Sequence, residues 1–260
     1  MTSSRRRPAR AAIGLGLLVA GVAALLVAEA LLASRGKREP FANPARVPLE
    51  LGSGDSQLTY VVLGDSTGAG QGARYGQGIA VATARHLTAA GRRVSLVNTA
   101  VSGAKAGEVA AGQLPLAVRL RPHVALVAVG ANDVVRLSSR RQVREAIETI
   151  VDGLVAARCD VKIVLTGAPE MGAVPRFAQP LRWVAGARTA QLNGLFEQIV
   201  RERGLTLAPI AAETGARFRR DRTLFASDGF HPSERGYATW VPVLTRALDG
   251  ALSAQPSQCP

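Results

Sequence analysis

The chain has 260 residues, 47% of them hydrophobic and 20% charged, enough to bury one large core. Aromatic residues make up only 4%, too few for base-stacking platforms, and the 32 Lys and Arg residues are dispersed, so a net charge of +13 does not mark a nucleic-acid binder. Two cysteines and three histidines exclude a disulfide framework, a Cys-rich zinc site and a His-clustered metal centre.

Residues 1–10 carry Arg5, Arg6, Arg7 and Arg10 and read as a basic, cytoplasmic N-terminus. Residues 11–33 hold a single charge, Glu29, and are long enough as a helix to span a bilayer core. Two readings of this segment stand side by side. It is a retained transmembrane anchor, or it is a signal segment cleaved after Ala30 in Ala28-Glu29-Ala30. In both, the globular part leaves the cytoplasm. Residues 1–40 hold seven basic and two acidic residues, so much of the positive charge belongs to this end. The remaining surface is mildly basic and suits anionic envelope material.

Residues 34–57, with Pro40, Pro44, Pro48, Gly52 and Gly54, read as a linker. Strands and helices then alternate. Strands are predicted at 58–63, 94–97, 124–129, 161–165 and 205–207, and helices at 79–90, 139–158, 182–203 and 232–252. The run VALVAV at 124–129 is uniformly apolar, as a parallel strand covered on both faces requires. Pro242 interrupts the last helix pattern. The alternation predicts one three-layer α/β/α domain over residues 58–254 with a parallel sheet, followed by a short tail, 255–260.

In such sheets the chemistry sits beyond the carboxyl ends of the strands. There the sequence reads Gly64-Asp65-Ser66-Thr67-Gly68, then Asn98-Thr99-Ala100-Val101-Ser102-Gly103, then Gly130-Ala131-Asn132-Asp133, and before the last helix Asp228-Gly229-Phe230-His231. These stretches supply the parts for acyl transfer through a serine. Ser66, at a strand-to-helix turn, is the candidate nucleophile. His231 is the candidate base, and Asp228, three residues earlier, can hold the imidazole in one tautomer. The N–H groups of Ser66 and Gly103 and the amide of Asn132 are candidate oxyanion donors. Asp65 and Asp133 are expected to brace these loops through backbone N–H groups. His86 and His123 lie away from that edge and are expected to be structural, and Tyr237 and Trp240 to pack the last helix.

In their order and their positions after strands, these four blocks resemble the SGNH/GDSL hydrolase family, from residue 58 to beyond Tyr237. The resemblance implies a flavodoxin-like fold with a five-stranded parallel sheet of order 2-1-3-4-5. It implies esterase, lipase or carbohydrate deacylase activity with no metal or other cofactor. The stretch 167–172 is not one of the family's blocks and is expected to shape the acyl or alcohol pocket with Phe177 and Trp183. Two other patterns fit less well. G-x-S-x-G at 64–68 mimics the elbow of α/β-hydrolases, but only one strand precedes it and the acid lies too close to the histidine. Gly68-x-Gly70-x-x-Ala73 mimics a dinucleotide fingerprint, yet no Asp or Glu occurs between Asp65 and Glu108 to take a ribose.

The sequence therefore predicts a monomeric, extracytoplasmic serine esterase acting on a small-molecule, lipid or glycan ester. An O-deacetylase or acyltransferase on envelope glycans and a non-catalytic envelope binding module are the alternatives. A disulfide between Cys159 and Cys259 is also expected. Cys159 precedes a strand at the amino edge of the sheet, the last helix runs back to that edge, and thiols that meet outside the cytoplasm oxidise.

Overall fold

The computed structural model describes residues 6–37, 40–89 and 91–254. The chain opens with α1 (Arg6–Ser34), of which Gly16–Ser34 is long and apolar enough, by length and composition, to cross a membrane. There follow β1 (Leu49–Leu51), β2 (Ser56–Gly64), the single turn α2 (Ser66–Ala69), α3 (Ile79–Thr88), β3 (Arg92–Asn98), α4 (Ala106–Gly112) and α5 (Leu114–Leu120). The second half comprises β4 (Val124–Ala128), α6 (Ala131–Val135), α7 (Arg140–Ala157), β5 (Lys162–Leu165), α8 (Leu181–Arg203), β6 (Thr206–Leu207), α9 (Ile210–Arg220) and α10 (Glu234–Ser253).

The sheet order is β1-β3-β2-β4-β5-β6, and every pairing is parallel except β1 with β3. The five predicted strands thus form one parallel sheet, and all five residues of β4 are buried. Helices α3 and α10 pack together on one face, while α4, α5, α7 and α8 cover the other. Burial on both faces explains why the central strands are apolar without alternation.

Part of the predicted linker is a sixth strand. Leu49 pairs with Leu96 and Leu51 with Val94, so β1 runs antiparallel along the free edge of β3. Covering that edge satisfies backbone groups that would otherwise template pairing with another chain. The segment before it is also held, because Asn43 Oδ1 accepts the N–H of Ser102 at 2.7 Å. Helix α7 begins at its expected position and is closed there by a capping box: Ser139 Oγ accepts from Gln142 N, and Gln142 Oε1 accepts from Ser139 N. Helix α10 continues through Pro242, which deprives the carbonyl four residues earlier of its N–H donor. Cys159 lies between α7 and β5 and is not a free thiol, while its expected partner Cys259 lies outside the described residues.

Candidate active site

The strand order reverses at β2, because the chain steps from β2 to β3 on one side and then returns to β4 on the other. The loops after β2 and β4 therefore diverge there and leave a crevice at the carboxyl edge. The turn after β2 depends on Gly64, whose φ is +154°. A Cβ there would lie 2.0 Å from the Ala128 carbonyl oxygen on β4, so only glycine lets the two strands end this close together.

Asp65 caps α2. Its Oδ1 accepts both the N–H and the hydroxyl of Thr67, each at 2.8 Å. Ser66 is the first residue of α2 and is buried apart from a 3% exposed edge. Its carbonyl accepts Gln71 N, and the Gln71 carbonyl in turn accepts the hydroxyl of buried Tyr237 on α10. The Gln71 side chain accepts from Ser102 Oγ at 2.5 Å. One residue thus links the Ser66 turn, the loop after β3 and the last helix. A second brace is Gln113, 1% exposed, whose amide accepts the N–H of Gly64 and donates to its carbonyl, both at 2.8 Å.

The loop before α10 holds the imidazole. Asp228 Oδ2 lies 2.6 Å from His231 Nδ1, and Oδ1 accepts the N–H groups of Phe230 and His231 at 2.8 and 3.0 Å. Burial alone would raise the Asp228 carboxyl, but the bonds from the His231 ring and the two N–H groups, with the charge of the ring, outweigh it and push it down to about 2. Arg176 donates to the Asp228 carbonyl at 3.0 and 2.6 Å and so fixes the loop from outside.

Ser66, Gly103, Asn132, Asp228 and His231 all line one cleft of about 390 Å³. Among the described residues, no hydrogen bond joins Ser66 Oγ to His231. Gly103 has φ +86°, and a Cβ there would meet Arg136 Nη2 at an ordinary contact distance of 3.5 Å, so the backbone angle, not crowding, calls for glycine. Asn132 donates one amide hydrogen to the Ala104 carbonyl at 3.2 Å and keeps a second for another acceptor. Asp133 accepts the N–H of Ala106 and so ties the loop after β4 to the start of α4. Among the described residues no group of His, Cys, Asp and Glu is arranged to hold a metal ion.

Behind Ser66 and His231 runs a second, narrow space lined largely by apolar side chains, among them Met171, Val174, Phe218, Phe225 and Phe230. The stretch after β5 contributes Pro169, Glu170 and Met171 to it, whereas Phe177 lines a different groove. Trp183 lines neither: it is 70% exposed, in the first turn of α8. His86 pairs with Asp249 of α10, and His123 accepts the N–H of Thr59, so both serve the scaffold. The braces Gln71, Gln113, Arg176 and Asn43 carry no sequence signal, because each bonds a main-chain group or side chain far along the chain.

A sequence profile of the GDSL-like Lipase/Acylhydrolase family matches residues 62–239. The chain belongs to that family. Among solved structures, TesA superposes with a TM-score of 0.59 at 20% identity, covering 74% of this chain and 99% of TesA. The lipase/acylhydrolase from Enterococcus faecalis gives 0.59 at 19% identity, over 78% of this chain and 100% of its own. A catalytic mutant of Axe2, an acetylxylan esterase from Geobacillus stearothermophilus, gives 0.54 at 20% identity, over 82% and 100%. At these identities the likeness is one of fold. No curated protein sequence matches this chain. Membership of that family makes the chain an ester-cleaving hydrolase.

Two consequences can be measured at the braces. Gln113→Leu leaves the Gly64 N–H buried without an acceptor, so the urea midpoint is expected to fall by the equivalent of about 1–3 kcal/mol. Gln113→Glu keeps an acceptor for that N–H but sets an oxygen against the Gly64 carbonyl and buries a carboxylate, so it is expected to lose at least as much.

Asp65 sets a pH dependence of stability. Burial pushes its carboxyl up to about 6 from 3.8; the bonds from Thr67 and the charge of His231 oppose that rise, and the charge of Asp133 adds to it. Its Oδ2 is buried without a hydrogen-bond partner among the described residues. The folded protein therefore holds this proton more tightly than the unfolded chain does. The group's contribution to stability is complete below about pH 4 and is lost as pH rises through 6, an order-of-magnitude change of up to about 3 kcal/mol. Denaturant titrations over this range are expected to show the decline in the wild type and its absence in Asp65→Asn.

Proposed function

We propose that the chain is a membrane-anchored, extracytoplasmic serine esterase that cleaves carboxylic esters through an acyl-enzyme on Ser66. The observation that carries this reading is the 2.6 Å bond between Asp228 and His231 at the cleft that Ser66 also lines. With Asp228 ionised, Nδ1 of His231 bears the hydrogen and Nε2 is free to accept a proton. Nε2 takes the Ser66 hydroxyl proton as Oγ attacks the ester carbonyl. The negative oxygen of the tetrahedral intermediate is met by the N–H groups of Ser66 and Gly103 and the free amide hydrogen of Asn132. His231 returns the proton to the departing alkoxide, and the acyl group stays on Ser66. Water then repeats the sequence, with His231 again the base. A direct Ser66–His231 bond is not required beforehand, since such pairs tighten when substrate binds.

Two features support ester substrates with an apolar part. The narrow space beside Ser66 is lined mostly by apolar side chains, and Phe230 stacks edge-on against His231 with centroids 4.9 Å apart. The arginines at the N-terminus, followed by an apolar helix, support an anchor with the catalytic domain outside the cytoplasm. The Cys159–Cys259 bridge belongs to the same proposal, since it needs an oxidising compartment.

A fluorophosphonate probe tests the chemistry. It is expected to label the protein once, at Ser66 by peptide mapping. Labelling that persists in Ser66→Ala would reject the assignment.

A further inference from the structure

Three large apolar side chains stand exposed on one flank of the cleft, Val135, Leu137 and Val184, and Trp183, next to Val184 in the first turn of α8, is 70% exposed. Val135, Leu137 and Val184 line a groove of about 560 Å³ whose opposite wall comes from α1, through Leu26 and Ala30 among others. The groove and the catalytic cleft share Asn132, Arg136, Arg176 and Phe230, so one opens into the other.

Among the described side chains, helix α1 meets the domain with its C-terminal end. Residues 16–25 are exposed, whereas Leu26, Glu29 and Ala33, spaced three and four apart on one face, are partly or fully covered. Glu29, the only charge in the apolar span, is 8% exposed. Its carboxyl group accepts the N–H of Leu181 at 2.8 Å. The N-cap position of α8 is Pro180, which has no side chain to offer, so a residue of the span caps a helix of the domain.

That contact fixes a depth. Residues 11–28 contain no charge and make about 27 Å of helix, close to the ~30 Å hydrocarbon core of a bilayer. Glu29, and with it the first turn of α8, falls where hydrocarbon meets headgroups. Tryptophan favours that level, and Trp183 is two residues beyond Leu181. The same groove is lined by Arg136, whose half-exposed side chain can meet anionic headgroups.

We infer that this flank of the domain is seated in the membrane interface, with Glu29 as the tether, and that the groove between α1 and the domain leads an ester lipid from the bilayer to Ser66. The inference rests on the anchored-esterase reading and adds the partner, a lipid surface, and the source of the substrate.

The test uses the full chain reconstituted in phosphatidylcholine–phosphatidylglycerol vesicles whose acyl chains are brominated near the carbonyl. Trp240 is buried inside the domain, so quenching reports Trp183. Wild-type fluorescence is expected to be quenched, and Trp183→Phe to lose that quenching. Glu29→Leu keeps the span apolar and is expected to stay with the vesicles while losing most of the quenching. Its hydrolysis of an ester lipid carried in the vesicles is expected to fall roughly tenfold, as the local concentration advantage is lost. An unquenched wild type overturns the seating, and quenching unchanged in Glu29→Leu overturns the tether. Lipid hydrolysis unchanged in Glu29→Leu overturns the groove as the route. Hydrolysis of a short soluble ester by the wild type tests the chemistry separately: its absence, with quenching intact, rejects the esterase and not the seating.

Discussion

Ser66→Ala is expected to lower kcat by about 10⁶-fold, because a nucleophile and its base act as a unit and the loss of either removes their joint contribution. The fold should survive the change. The turn that carries Ser66 is held by main-chain groups, with the Ser66 carbonyl accepting Gln71 N and both main-chain groups of Gly64 bound by Gln113. Alanine keeps all of these and fits the buried position. Steady-state hydrolysis of a p-nitrophenyl ester, with circular dichroism and a thermal melt beside it, separates lost chemistry from lost structure. Residual activity should come from binding and the oxyanion donors alone. A well-folded variant that keeps roughly a tenth of wild-type kcat would remove Ser66 from the reaction.

The parts of this molecule that sequence made legible are those whose cause is local. VALVAV at 124–129 could only be a strand covered on both faces, and the buried β4 bears that out. The apolar spacing from Val143 to Leu154 announced α7, and the structure closes its start with the reciprocal caps of Ser139 and Gln142. Each of the four polar blocks follows a strand or precedes a helix, so the carboxyl-edge rule alone collected them at one end of the sheet. Short helices and non-local pairings were hidden. Helices α4 and α5 contain Gly107, Gly112 and Pro115 and are too short for a clear period, and α9 carries Gly215 among arginines. Strand β1 is three residues long and finds its partner more than 40 residues later, which no window of sequence can reveal. The braces share that difficulty. Arg176 reads as one arginine among many until its guanidinium is seen on the Asp228 carbonyl. Trp183 misled for the opposite reason. Its hydrophobicity suggested a pocket wall, but in the first turn of α8 it stands 70% exposed.

Asp228→Asn is expected to lower kcat by about 10⁴-fold with little change in stability. The two carboxyl oxygens have separate tasks. Oδ1 accepts the N–H groups of Phe230 and His231 and shapes the loop, and an asparagine carbonyl can do the same. Oδ2 faces His231 Nδ1 at 2.6 Å, where asparagine would present an NH₂ donor. A donor there forces Nδ1 to accept, moves the ring hydrogen to Nε2, and leaves nothing to take the Ser66 proton. Since the wild-type carboxyl is held down at about 2, it is ionised throughout the range in which an esterase is assayed. The wild-type profile should therefore show no loss from Asp228 until pH falls towards that value. Asp228→Asn should be slow at every pH between, with its substrate KM nearly unchanged because the cleft keeps its shape. Measuring kcat and KM across pH for both proteins decides the point. A variant within roughly tenfold of the wild type would mean that Asp228 only shapes the loop, and that the imidazole is oriented by something else.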